Sequence, residues 1–146
     1  MTERRAHTTW EGDLASGSGT FTVGTGAIGP QEVSWLARTE EPGGKTSPEE
    51  LIAAALSSCY SMALSGVLAR AGTPPTRLET DAVANFVKTD VGFRMTKIDL
   101  RVRGTVEGAD EEAFRRAAED AKENCPVSQA LKGNVELTLD AELTES

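Results

Sequence analysis

The chain is short of the residues from which most catalytic sites are built. It has one histidine, His7, and two cysteines, Cys59 and Cys125, in 146 residues. A zinc site needs more ligands than two cysteines and one distant histidine provide. A Cys–His dyad is equally unpromising, because His7 falls in a stretch that reads as an exposed strand or tail. Lysine and arginine number 15 against 23 acids, and they are scattered. Phosphate recognition needs clustered cations, so nucleic acid is not an expected partner.

Other absences narrow the field further. The N-terminus "MTERRAHTTWEGD" has basic residues with no apolar stretch behind them, so no signal peptide is read there. The longest apolar run, Leu51 to Ala69, is about as long as a membrane span. Serines break it and alanines fill it, so it is read as a buried core helix and no membrane partner is expected. "GSGTFTVGTG" matches neither a P-loop nor a dinucleotide fingerprint, and hairpin turns explain it. The expectation is a cytoplasmic protein, one domain over residues 1–146, with enough chain to bury a real core. In a reducing compartment two cysteines 66 positions apart are poor candidates for a permanent disulfide, and a redox role gains weight.

What is present reads as an ordered series of elements. "HTTWEG" and "GTFTVGTG" alternate between glycines and predict a hairpin, and "EVSWLART" predicts a third strand. "EEPGGK" is a turn-rich loop. A long helix follows, signed at its start by Ser47, Pro48 and Glu50 in capping-box order. It ends at Gly72, before Pro74 and Pro75. Two longer strands, "RLETDAVANFVKT" and "FRMTKIDLRVRGTV", turn at Asp90–Gly92. "DEEAFRRAAEDAKEN" is amphipathic, with Phe114, Ala117, Ala118 and Ala121 inward. "PVSQALKG" is a short helical turn, and "NVELTLDAEL" is a last strand. This order predicts an α+β fold with antiparallel sheets packed on a long central helix. That helix carries Leu51, Ile52, Leu56, Met62, Leu64, Val67 and Leu68 around its circumference, which calls for cover on all sides and hence a second chain.

The two cysteines stand in different surroundings. Cys59 lies about three turns, roughly 18 Å, into the long helix, beyond the reach of the N-terminal dipole. Burial alone would raise its pKa and leave it inert, so a reactive Cys59 needs a cation from elsewhere. Cys125, in "ENCPVSQAL", opens a helical turn whose unpaired N–H groups favour a thiolate.

"TSPEELIAAALSSCYSMALSGVL" together with "NCPVSQALKGNVELTL" resembles the OsmC/Ohr family of thiol-dependent peroxidases. The "WEGD" opening and "TDVGFRMTKIDL" extend the likeness over almost the whole chain. "PEEL" is the OsmC-like form, where the organic-hydroperoxide-resistance branch tends to have "PEQL". Positions 10–30 hold no arginine to serve as that branch's catalytic arginine. Arg38, in "WLART", matches the OsmC branch, and Tyr60 stands where phenylalanine is common.

The resemblance implies an intertwined homodimer with active sites between the chains and no metal or organic cofactor. It implies that Cys59 is the peroxidatic nucleophile, Cys125 the resolving thiol, Arg38 the cation that activates Cys59, and Glu49 the carboxylate that holds Arg38. The implied substrates are organic hydroperoxides and, less well, hydrogen peroxide, in oxidative or osmotic stress defence, with a dithiol as reductant. The alternative is a non-catalytic binding or redox-sensing protein on the same fold. Without the resemblance Arg38 reads as a strand-edge arginine, and Glu49 and Glu50 as acids matched to the helix dipole. Glu49 and Cys59 lie about 15 Å apart along one helix and on different faces. If both serve one site, the expected arrangement takes Cys59 and Cys125 from one subunit and Glu49 from its partner across a two-fold axis.

Overall fold

Pro48–Arg70 forms the long helix, and its two ends are set by the residues that signed them. The computed structural model describes residues 1–144, so the last two residues of the expected 1–146 domain lie outside it. The chain divides into two compact units, the first Met1–Leu51 and the second from Ile52 onward.

In the first unit, β1 (Ala6–Glu11), β2 (Ser18–Val23) and β3 (Gln31–Val33) form an antiparallel meander in the order β1-β2-β3. β1 is exposed along its whole length, and β2 buries Phe21. The expected third strand is shorter than "EVSWLART" predicts. Ser34 breaks it: its side chain accepts from the Ala37 N–H at 3.1 Å and caps α1, Trp35–Thr39. Arg38 therefore sits on a helical turn and not on a strand. A serine cap satisfies backbone donors that a strand would leave to a neighbour, and this local bond overrides the alternating pattern. The first turn of α2 (Pro48–Arg70) closes this unit, with Ser47 Oγ accepting from the Glu50 N–H at 3.2 Å. The expected capping box is half made, because the Glu50 carboxylate accepts from the Thr46 hydroxyl at 2.8 Å instead.

In the second unit, α2 runs on to a Schellman end. Gly72 takes φ +88°, its N–H bonds to Ala69 O, and the Thr73 N–H bonds to Leu68 O. Only glycine takes that backbone conformation without strain. By length and composition α2 is apolar enough to cross a membrane. Here Leu56, Tyr60, Leu64 and Leu68, every fourth residue, are buried in a protein core. Each such side chain contributes roughly 1.5–3 kcal/mol. Met62, on another face, is 70% exposed.

The core's other walls are a sheet and a helix. β4 (Arg77–Ala84) pairs antiparallel with β7 (Lys97–Thr105), and β8 (Glu136–Leu143) pairs with the other edge of β7. Ile98, Leu100 and Val102 alternate inward from β7. α3 (Glu111–Asn124) presents Phe114, Ala117, Ala118 and Ala121, as its period predicts. α4 (Pro126–Leu131) follows at once.

Two features depart from the expected strands. The pair of long strands is interrupted, because Asn85 Oδ1 accepts from both the Thr96 and Lys97 N–H groups and takes the place of a ladder rung. Beyond it, β5 (Val87–Thr89) and β6 (Gly92–Arg94) form a separate hairpin on which Phe86 and Phe93 stack. The main sheet is also mixed, not purely antiparallel, since β8 runs parallel to β7. A chain that leaves a strand through helices returns to the sheet in the crossover manner that parallel pairing needs. The parallel register sets Arg101 opposite Asp140 and Arg103 opposite Glu142.

Candidate active site

The second unit brings its two cysteines into contact. Cys125 is shared by two helices. Its N–H bonds to Ala121 O at 2.9 Å and ends α3, while its carbonyl accepts from the Gln129 N–H at 3.0 Å and begins α4. Pro126 at the first position of α4 needs no N–H partner there. The extended backbone at Cys125, φ −61° and ψ 133°, turns the chain between the two helices. Its thiol meets that of Cys59 at 3.1 Å. Both are free thiols, and their exposure differs: Cys125 is 0% exposed, whereas Cys59 is only half-buried.

The pair is electrostatically unequal. Burial pushes the Cys59 thiol above its ordinary value, and the adjacent Cys125 adds to this against the pull of the Val127 N–H. Burial pushes Cys125 up as well. There the Ser128 hydroxyl and N–H, the Cys59 thiol and the Val127 N–H outweigh it, and Cys125 is held below the ordinary thiol value. In the chain by itself Cys125 is thus the lowered thiol of the pair and Cys59 the raised one. The donors around Cys125 act on the charged form, which is why they overcome desolvation.

Tyr60, beside Cys59, fixes this part of α2 to α3. Its hydroxyl donates to Ala118 O at 2.9 Å within the core. Burial, with smaller contributions from Glu119 and Cys125, drives its pKa far upward, so the hydroxyl stays a donor at any working pH. A cavity of about 200 Å³ is bounded by Lys122, Ser128, Lys132, Val135 and Leu137 among others, and neither cysteine lines it.

The first unit brings together the other two expected residues. Arg38, in the last turn of α1, meets Glu49, in the first turn of α2, as a two-pronged pair: Nε to Oε1 at 2.9 Å and Nη2 to Oε2 at 2.7 Å. Glu49 is buried at 8% exposure, and the Trp35 ring centre lies 5.9 Å from the Arg38 guanidinium carbon. A planar fork matched to a carboxylate is the strong form of this contact. Glu50 is exposed, and its carboxylate accepts from the Thr46 hydroxyl. His7 lies on exposed β1, within 3.4 Å of the Thr9 hydroxyl. Among the described residues no group of three or more histidine, cysteine or acidic side chains is set to hold a metal ion.

The reading from sequence passed over Ser128. The signal was available: three residues after a cysteine that opens a helical turn is the position that faces the capping side chain.

The model of the family described as OsmC-like protein matches residues 41–140. The chain is 44% identical over 134 residues to Peroxiredoxin OsmC of Escherichia coli, covering 92% of each chain. It is 32% identical to Organic hydroperoxide resistance protein-like 2 of Staphylococcus epidermidis, over 74% of this chain and 78% of that one. Among solved structures, the organic hydroperoxide resistance protein OhrB of Bacillus subtilis aligns with TM-score 0.75 at 25% identity, covering 94% of this chain and 97% of that one. A Legionella pneumophila protein of the same fold aligns with TM-score 0.76 at 20% identity, over 96% and 97%.

Proposed function

The chain belongs to the OsmC-like protein family, and from that premise we propose that it is a thiol-dependent peroxidase that reduces organic hydroperoxides. One observation carries the reading: two free thiols at 3.1 Å, of which only Cys59 is open to a substrate. The relative named as a peroxiredoxin and those named for organic hydroperoxide resistance support it.

The chemistry takes two steps and a reset. The Cys59 thiolate attacks the terminal oxygen of a hydroperoxide, the O–O bond breaks, and the alkoxide leaves with a proton as the alcohol. Cys59 is then a sulfenic acid. The Cys125 sulfur attacks that sulfur, an S–S bond replaces the S–O bond, and hydroxide leaves with a proton as water. An external dithiol then reduces the disulfide by exchange and is itself oxidised. The first step needs the negative charge on Cys59, and a proton passed across the thiol contact moves it there. A guanidinium favours that form and the developing charge on the leaving oxygen. We assign this role to Arg38, held by Glu49. The half-exposed, apolar remainder of α2 supports a homodimer around that helix. In that dimer Glu49 comes from the partner of the subunit that gives Cys59 and Cys125. We place the protein, as one domain, in the cytoplasm, where dithiol reductants are at hand.

The test is steady-state consumption of cumene hydroperoxide and hydrogen peroxide with a dithiol supplied. Wild type is expected to prefer the organic substrate, Cys59→Ser to lose turnover, and Cys125→Ser to stop after one turnover as sulfenic acid or a more oxidised form. Turnover by Cys59→Ser equal to that of wild type refutes the reading.

A further inference from the structure

Ser128 is 4% exposed, and its Oγ has neither accessible surface nor a hydrogen-bonding partner. A buried hydroxyl left without a partner is unfavourable, and native proteins keep few of them. What stands near it is a sulfur. Cys125 begins α4 and Ser128 is the third residue of that helix, the spacing at which the first side chain and the third residue of a helix turn toward each other. The usual pairing of an oxygen acceptor followed by an acid is replaced by a thiol followed by a hydroxyl. Although Ser128 also lines the neighbouring cavity, its oxygen is shut off from solvent.

We propose that Ser128 is a positioning residue for the resolving thiol, its hydroxyl donating to the Cys125 sulfur and holding it as a thiolate aimed at Cys59. This deepens the peroxidase reading and rests on it. A thiol sulfur is a weak acceptor and a thiolate a strong one, so the hydroxyl, which has no other partner, favours the charged form of Cys125. It assists the second step, and by drawing charge onto Cys125 it does nothing to speed the first. The Cys125 thiolate attacks the Cys59 sulfenic acid, S–S forms, S–O breaks, and hydroxide leaves as water, while Ser128 keeps its own proton. The downward pull of the Ser128 hydroxyl on the Cys125 thiol agrees with that direction.

The experiment separates the two steps by rapid mixing of reduced full-length chain with one equivalent of cumene hydroperoxide. Sulfenic acid formation and disulfide closure are followed in turn. In Ser128→Ala the first step should be no slower than in wild type. Closure should slow about tenfold near neutral pH, the size expected for one lost hydrogen bond to a charged group. The half-point of closure against pH should move alkaline, and Ser128→Thr should retain the wild-type profile. A merely structural serine predicts a different result, a less stable protein with an unmoved profile. Wild-type closure with an unmoved pH profile in Ser128→Ala, or in Ser128→Gly if the first variant fails to fold, overturns the proposal. A second arm needs no peroxide. Thiolate absorbance in Cys59→Ser, which leaves Cys125 as the only thiol, should titrate at lower pH than in Cys59→Ser/Ser128→Ala. A shift there with no reaction toward any peroxide would sustain the role of Ser128 and refute the peroxidase. No shift refutes the role of Ser128 whatever the peroxide result.

Discussion

Oxidising the thiol pair joins residues that are 66 positions apart, and this sets a stability change that can be worked in advance. In the chain-entropy treatment, a cross-link closing a loop of that length removes about 4 kcal/mol of freedom from the unfolded chain. The native state gives up little to accept it, because the sulfurs already touch and neither helix end has to be rebuilt. At about 2.1 cal/mol/K of unfolding entropy per residue, 146 residues correspond to roughly 0.3 kcal/mol/K. The melting point of the oxidised chain should therefore rise by about 13 °C. The assay is thermal unfolding by circular dichroism without reductant, before and after one equivalent of cumene hydroperoxide. Thiol titration should confirm that both thiols are lost and non-reducing electrophoresis that the chains are not cross-linked. Cys125→Ser, treated in the same way, should not gain. Equal melting points for reduced and fully oxidised wild type would refute the claim that the folded chain presents its sulfurs ready to join.

Three further outcomes follow from the geometry. Glu49→Gln keeps the shape of the Arg38 pair and removes its charge; with the Arg38 side chain 31% exposed, a loss of about 1–2 kcal/mol is expected in denaturant unfolding. The same variant should lower kcat/KM for hydroperoxide, and unchanged values of both would remove the pair from the mechanism. Gly104→Ala sets a methyl carbon 2.5 Å and 2.6 Å from two ring atoms of buried Phe114, which should cost about 1–3 kcal/mol; adding Phe114→Leu should recover part of it, and a neutral Gly104→Ala would contradict the packing. The thiols should also pull stability in opposite directions with pH. The lowered Cys125 stabilises above its unfolded pKa and loses this as pH falls through its folded value, whereas the raised Cys59 stabilises below its unfolded pKa and loses this as pH rises through its folded value. The stability gap between wild type and Cys125→Ser should hence widen as pH climbs toward the ordinary thiol range, and a gap that narrows would reverse the assignment.

Where the chain spoke through backbone chemistry, it was readable. Ser47 and Pro48 began the long helix, Gly72 ended it, and the spacing of Phe114, Ala117, Ala118 and Ala121 named the buried face of α3. The errors arose where a single side chain outbid the pattern. Ser34 turned half of a predicted strand into a helix by capping it, and Asn85 cut a long hairpin in two by standing in for a ladder partner. The parallel β8 was signalled by the two helices before it, and the alternation inside the strand is silent on direction. The meeting of Cys59 with Cys125 came from family resemblance, because no local rule joins residues so far apart. Ser128 went unseen because serine in a first helical turn is commonplace until the sulfur beside it is known.

The parallel pairing of β7 with β8 also fixes when the two sulfurs meet during folding. The 30 residues between Thr105 and Glu136 carry α3, Cys125 and α4, and all of them must be laid down before β8 can find its edge. Non-local closures of this kind are slow beside the formation of a helix or hairpin. α2 can form early with Cys59 bare, while Cys125 waits for a crossover that is not yet closed. A newly made chain therefore passes through an interval in which both thiols are open to other partners, and the redox state of its surroundings during synthesis decides whether the native pair is the one that forms.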